Sequence, residues 1–332
     1  MATPVLEVRD LRTHLVTRWG TIRAVDGVSF ALAERETLGL VGESGSGKTM
    51  TCLSILRLAP RPAARILGGQ VLLDGDDLLR KSPREMERIR GKKISMILQD
   101  PMSSLNPVFS VGMQVREPLV AYHGLRGRAL AERAASLLGS VGISSPVERL
   151  RAFPHQLSGG MRQRVVGAMA ISAPPRLLIA DEPTTSLDLT IQAQYLRLLK
   201  EIQARHGLAM IFVTHNLGIV ARMCDRVAVM YAGRIVETGP VRAIFRAPAH
   251  PYTRALLESV PRLGAARVRL TAIDGQPPDL ATLAGGCAFV PRCPQAFDRC
   301  RAEAPPELPV APGHAARCWL HAPAPPHPGR GP

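Results

Sequence analysis

The stretch GESGSGKT, residues 42–49, limits the possible fold more than any other part of this chain. It fits the pattern G-x-x-x-x-G-K-[ST]. It also sits where that pattern needs to sit, after the apolar run TLGLVG (37–42) and before the helix-like KTMTCLSILRL (48–58). A buried strand that turns through glycine into a helix N-terminus offers phosphate oxygens a ring of backbone N–H groups and the positive end of the helix dipole. On this reading Gly42, Glu43, Ser44, Gly45, Ser46 and Gly47 form the cradle. Lys48 reaches the β- and γ-phosphates of a nucleotide, and Thr49 holds Mg²⁺. A glycine-rich turn with a chance lysine would explain the loop but not its strand–loop–helix setting.

The surrounding pattern predicts an α/β fold. VLEVRDL (5–11), VSFAL (28–32), GGQVLLDG (68–75) and ISMIL (94–98) read as strands. RLLIAD (176–181) and AMIFVTH (209–215) are near-continuous apolar runs, as in a parallel sheet covered on both faces. A helix over 190–206 lies between them, and RVAVMYAGRIVETG (226–239) reads as a hairpin turning at Ala232-Gly233. Helical patterning dominates 110–172, as an insertion into the alternating core. The run LLIADEP ends in Asp181 and Glu182 at the C-terminal end of a strand, where open parallel sheets bind ligands. Asp181 suits a Mg²⁺ role, and Glu182 suits a general base that polarises the attacking water. Two solvated acids at a strand end are the plainer alternative, weakened by the phosphate loop upstream.

Composition excludes little and directs the rest. Hydrophobic residues make up 46% of the chain, enough for a large core, and no apolar run approaches the ~18 residues of a membrane span. MATPVLEVRD lacks the basic-then-apolar layout of an export signal, so any membrane role is expected to be peripheral. The net charge of +15 is scattered, with no block of five basic residues, and no nucleic-acid surface is expected.

A second anion-holding element lies far downstream. LSGGMRQR (157–164) runs a serine and two glycines into a helix. With GESGSGKT and LLIADEP, this segment makes the chain resemble the ATP-binding-cassette ATPases over residues 5 to about 245. The resemblance implies a P-loop NTPase cassette with a RecA-like core, an antiparallel β subdomain and a helical subdomain at about 99–172. It implies that two cassettes meet head to tail, each ATP lying between one chain's loop and the other chain's Leu157, Ser158, Gly159, Gly160 and Met161. Leu187 and Asp188 match the segment that touches the opposite subunit. Gln99 matches a glutamine that senses the nucleotide and the membrane partner and that joins Thr49 and Asp181 at Mg²⁺, and His215 a histidine that contacts the γ-phosphate. The family's adenine-stacking aromatic falls on Leu15 here, and Trp19, four residues later, is the nearest candidate.

AVDGVSF, QDPMSSLNP (99–107), FPHQLSGGMRQR (153–164) and HPYTRALLESVP (250–261) further resemble the ATPase subunits of dipeptide, oligopeptide and nickel importers. That resemblance implies ATP, Mg²⁺, a second cassette chain, two integral-membrane permeases and an extracytoplasmic peptide-binding protein. It places the chain at the cytoplasmic face of the inner membrane. A soluble cassette ATPase acting on nucleic acid or ribosomes is the alternative. It would carry tandem cassettes or long coiled coils, which are not seen. A phosphate-binding module without turnover would have lost Lys48, Glu182 or His215, and all three are present.

Past about residue 246 the sheet patterning stops, and prolines and cysteines become dense. A boundary there divides a cassette, 1–245, from a C-terminal domain at 246–322 of the oligopeptide/dipeptide-transporter type, with 323–332 expected to lack structure. Cys287, Cys293, Cys300 and Cys318 crowd this core-poor segment, which invites a structural ligand. Zinc sites usually show C-x2–4-C pairs, absent here, and the wider spacing is easier to fit around a larger cluster. A 4Fe–4S cluster, reported in some members of the resembled subfamily, is the expectation. Zinc and free buried thiols remain open. Cys52 and Cys224 read as core residues.

Overall fold

Five-residue apolar runs such as TLGLV and LLIAD can be satisfied only by a sheet buried on both faces, and that is where they lie. The computed structural model describes residues 4–99, 104–185, 187–260, 273–283 and 285–323. Its strands are β1 (Leu6–Thr17), β2 (Gly20–Leu32), β3 (Thr37–Val41), β4 (Ala64–Leu73), β5 (Asp76–Asp77) and β6 (Ile94–Ile97). They continue with β7 (Leu177–Asp181), β8 (Ala209–Val213), β9 (Arg226–Tyr231), β10 (Arg234–Pro240), β11 (Leu308–Ala311) and β12 (His314–Ala316). They form a four-stranded antiparallel sheet, β2-β1-β4-β5, and a larger sheet ordered β11-β12-β10-β9-β3-β8-β7-β6. In the larger sheet β6, β7, β8, β3 and β9 run parallel to one another.

Alternate residues of the parallel strands feed two separate cores, as a period of two requires. Leu177, Ile179, Ala209, Ile211 and Val213 face a core shared with β1, β2, β4 and the helix Lys48–Ile55. Leu178, Ala180, Met210 and Phe212 face the other side, packed with the helices of 111–206. Burying one such Leu, Ile or Phe side chain contributes about 1.5–3 kcal/mol, so each face holds its layer strongly.

The helical insertion holds Val111–His123, Gly127–Ser140, Pro146–Arg149 and Gly159–Ala170. Residues 100–103, in the middle of QDPMSSLNP, and Ser186 lie outside the described residues, as do 324–332, most of the expected tail. The hairpin turn falls where expected, with φ of 49° at Ala232 and 79° at Gly233, the two positive values a tight two-residue turn requires.

The expected end of the sheet near residue 246 is corrected. β12 pairs antiparallel with β10, through Glu237↔Ala316 and Thr238↔Ala315, and β11 pairs with β12, so the late chain extends the central sheet. LPVA and HAA are too short and too poor in branched residues to show a strand period, and tertiary pairing decides them. An aromatic cluster adds to this junction: Tyr231 lies 4.5 Å from Tyr252 and 5.2 Å from Phe289 between ring centroids.

Candidate nucleotide site and signature surface

The phosphate loop closes between β3 and the helix Lys48–Ile55 because glycine stands where other residues would not fit. Gly47 caps that helix at φ 104°, and a Cβ there would run into the Ala24 carbonyl oxygen. Gly42, at φ 150°, approaches the Met230 carbonyl in the same way. Lys48 is buried, and its Nζ donates to the carbonyls of Gly42 at 2.8 Å and Glu43 at 2.9 Å. Burial pulls its pKa below the ordinary lysine value, against the nearby charges of Glu182 and Asp181. Ser46 is buried, while Ser44 and Gly45 face solvent.

Asp181 ends β7 at 1% exposure, near the Thr49 hydroxyl. Its Oδ1 has no partner among the described residues. Burial raises its pKa; the nearby Thr49 hydroxyl opposes that shift, and the Glu182 charge adds to it. A buried carboxylate oxygen left unpaired beside a threonine hydroxyl is a hard-oxygen pair of the kind Mg²⁺ takes, so these residues fit that ion.

Glu182 follows at φ 45°, left-handed for a non-glycine residue, the kind of strain that collects at functional sites. Three groups hold its carboxylate. Gln99 Nε2 donates to Oε2 at 3.1 Å, Thr185 Oγ1 donates to the same oxygen at 3.0 Å, and His215 Nδ1 lies 3.2 Å from Oε1. Gln99, Glu182 and His215, drawn from the ends of three different strands, thus meet. Gln99 contacts Glu182, and no described hydrogen bond joins it to Thr49 or Asp181.

The signature residues lie on a separate surface. Leu157 is buried, and Ser158 caps the helix Gly159–Ala170, its Oγ accepting from Met161 N at 3.3 Å. Gly160 packs so closely on Ile191 that a Cβ would sit 2.5 Å from Ile191 Cγ2. Asp188 caps the neighbouring helix Leu189–His206, its Oδ1 accepting from Thr190 N and Ile191 N. Ser158, Gly159 and Asp188 are exposed, Leu187 is half-buried, and Leu189 is 81% exposed. None of the described hydrogen bonds joins this surface to the phosphate loop of the same chain.

Trp19 is 78% exposed, with the Arg18 guanidinium 3.8 Å from its ring centroid. Leu15 is half-buried and pairs with Ile22. Neither lines the cavity beside the loop. That cavity, about 280 Å³, is lined by Glu43–Ser46, Ile22, Tyr231 and Ala232, with Pro277–Leu280 supplying a further part of its wall. Sequence reasoning missed this wall, and it missed Tyr252 and Arg292, which reach Glu43. Tyr252 lies in HPYTRALLESVP, whose resemblance to importer subunits points to no site role, and Arg292 carries no signal in the sequence.

The expected 4Fe–4S site is not supported. Among the described residues no group of three or more His, Cys, Asp or Glu is arranged to hold a metal ion. Cys287, Cys293, Cys300 and Cys318 do line one cavity, but it measures about 20 Å³, room for about one water rather than an eight-atom cluster. Burial raises the thiol pKa of Cys287 and Cys293, and that of Cys318 to about 11. Cys52 and Cys224 are core residues, as expected, with Cys224 pushed up to about 12. No described helix is long and apolar enough to cross a membrane.

Comparison with known proteins bears on this arrangement. Residues 25–185 match the ABC transporter family model, and residues 236–300 match the oligopeptide/dipeptide transporter C-terminal region. The chain is 49% identical over 316 residues to the dipeptide transport ATP-binding protein DppD of Bacillus subtilis, covering 95% of this chain and 94% of that protein. It is 45% identical over 314 residues to DppD of Escherichia coli, covering 95% and 96%. Among solved structures, the dimeric post-hydrolysis state of the ATP-binding cassette MJ0796, bound to ADP and Pi, matches with a TM-score of 0.64 and 25% identity. That match covers 71% of this chain and 99% of the other.

Proposed function

Because the chain belongs to the ABC transporter ATP-binding proteins that carry an oligopeptide/dipeptide transporter C-terminal region, we propose that it hydrolyses ATP to drive import of di- or oligopeptides. The observation that carries the reading is the Glu182 carboxylate, held by Gln99, Thr185 and His215 next to Asp181 and across from Lys48.

In this reading the loop N–H groups of Gly42–Gly47 and the Lys48 ammonium take the β- and γ-phosphates. Thr49 and Asp181 hold Mg²⁺, which when bound neutralises charge on the phosphate oxygens. Glu182 accepts the proton of the attacking water, His215 contacts the γ-phosphate, and Gln99 orients the Glu182 carboxylate. Catalysis is then positioning and charge stabilisation in a site that closes against water. Trp19 is the chain's candidate for the adenine face.

Ser158, Gly159 and Gly160, with Leu157, Met161 and Asp188 beside them, would complete the site of a second cassette chain. Their exposed helix ends suit an anion supplied from outside the chain. Closure of the pair would be passed through the helical region of 99–172 to two membrane permeases, an extracytoplasmic binding protein delivering peptide. The chain would sit peripherally at the cytoplasmic face of the membrane. Residues 1–245 would act as cassette and 246–322 as an appended domain.

Affinity capture of the full chain with identification of every bound protein tests this. Two polytopic permeases and a second cassette are expected. Ribosomal proteins or nucleic acid in their place would overturn it, and a nickel-loaded binding protein would replace peptide as the substrate.

A further inference from the structure

Arg292, 249 residues from the phosphate loop in sequence, is fastened to its second residue. The Arg292 side chain is 3% exposed, and its guanidinium grips the Glu43 carboxylate with two nitrogens: Nη1 at 2.7 Å from Oε2 and Nη2 at 3.0 Å from Oε1. Such a two-pronged pair fixes direction as well as distance. On the other side of Glu43, its backbone N–H donates to Tyr252 Oη at 2.9 Å. Both the side chain and the backbone of Glu43 are therefore held by residues beyond β10. The same guanidinium donates to the carbonyls of Asp274, through Nε at 3.0 Å, and Ile273, through Nη2 at 3.3 Å. Those carbonyls begin the segment that runs to Pro277–Leu280, the outer wall of the cavity over Ser44–Ser46. A further backbone bond, from Arg23 N to Leu280 O at 3.3 Å, ties that wall to β2.

We propose that Arg292 is a positioning residue for the bound nucleoside triphosphate. Through Glu43 it sets the opening turn of the phosphate loop, and through Ile273 and Asp274 it sets the wall against which the nucleoside side of the ligand lies. The C-terminal region is thereby a working part of the nucleotide site. The inference rests on the reading of residues 42–49 as an ATP loop, and it deepens that reading.

The test titrates the purified full chain with the fluorescent analogue mant-ATP and records thermal unfolding without nucleotide. Arg292→Gln and Glu43→Gln are each expected to weaken binding about tenfold, as loss of one charge-assisted pair predicts. The double variant should be no weaker than Arg292→Gln alone, because the contact to Glu43 is already lost there. In the assembled transporter the loss should fall on KM more than on kcat. Arg292→Lys, which keeps the charge but loses the fork, should recover part of the affinity, and it stands in should Arg292→Gln fail to fold. A purely structural arginine would lower the unfolding temperature and leave the affinity of the folded chain unchanged, and that result overturns the proposal. So do additive losses in the double variant. Lys48→Ala separates the two levels. If it abolishes binding while Arg292→Gln changes nothing, only the positioning role falls; if it binds normally, the ATP loop itself is misread.

Discussion

His215 and Gln99 divide one carboxylate between them: the imidazole Nδ1 lies 3.2 Å from Oε1 of Glu182, and the amide of Gln99 donates to Oε2 at 3.1 Å. Two residues from the ends of β8 and β6 thus fix the plane of an acid at the end of β7.

That fixation is what a general base needs, and it gives the first prediction. Glu182→Gln should retain nucleotide affinity and lose about 10²–10⁴-fold in turnover, the usual contribution of a positioned base. Phosphate release from the assembled transporter measures it. Turnover near that of the native protein would remove Glu182 from the role.

Gly47→Ala places a methyl group against the Ala24 carbonyl at a φ of 104°. A side chain forced into that region should cost about 1–3 kcal/mol and tilt the N–H groups that face the phosphates. Thermal unfolding and mant-ATP binding should both drop, whereas Gly45→Ala, which meets nothing within 4 Å, should affect packing less.

Glu237 lies in β10 at 1% exposure and accepts from Ala249 N at 2.7 Å and His250 N at 2.8 Å, with His314 Nε2 2.8 Å from its Oε1. Glu237→Ala would leave those groups buried without an acceptor. A loss of about 3–5 kcal/mol is expected by analogy with broken buried pairs, read from denaturant unfolding. A loss below 1 kcal/mol would mean that water replaces the carboxylate.

His250 carries a pH dependence. Its Nδ1 accepts from Tyr252 N, so the ring must be neutral on that side. Burial, and then the charge of His321, lower its pKa from 6.5 to about 3. Glu237 and His314 face the same backbone turn. Between those two values the unfolded chain binds a proton that the folded chain does not. Its stabilising share is therefore complete above pH 6.5 and is lost as pH falls toward 3, at up to about 1.4 kcal/mol per pH unit. His250→Asn keeps a capping acceptor without the titration. Its unfolding temperature should fall less steeply with acidification than that of the native chain, and parallel curves would refute the assignment.

How far each feature could be read in advance depends on what determines it. The phosphate loop was legible because its backbone admits only glycine at Gly42 and Gly47, so geometry is written in residue type. β3, β7 and β8 were legible because burial on both faces forces continuous apolar runs. The hairpin at Ala232-Gly233 followed from turn chemistry. β11 and β12 were not legible, since His314–Ala316 becomes a strand only by pairing with β10, far away in the chain, and Leu308–Ala311 only by pairing with β12. The Glu43–Arg292 pair was hidden for the same reason: neither residue is unusual until the fold joins them. The cysteine spacing raised an expectation that the structure does not support, because clustering along the chain does not by itself specify a ligand geometry.

β10 has a hairpin partner on one side and β12 on the other. A polypeptide cut near residue 245 would therefore end with a raw sheet margin, ready to zip onto another copy, and with an orphaned acid at Glu237. What looks in sequence like a detachable appendix serves as the selvedge of the ATPase sheet, and shortened forms should precipitate instead of surviving as smaller enzymes.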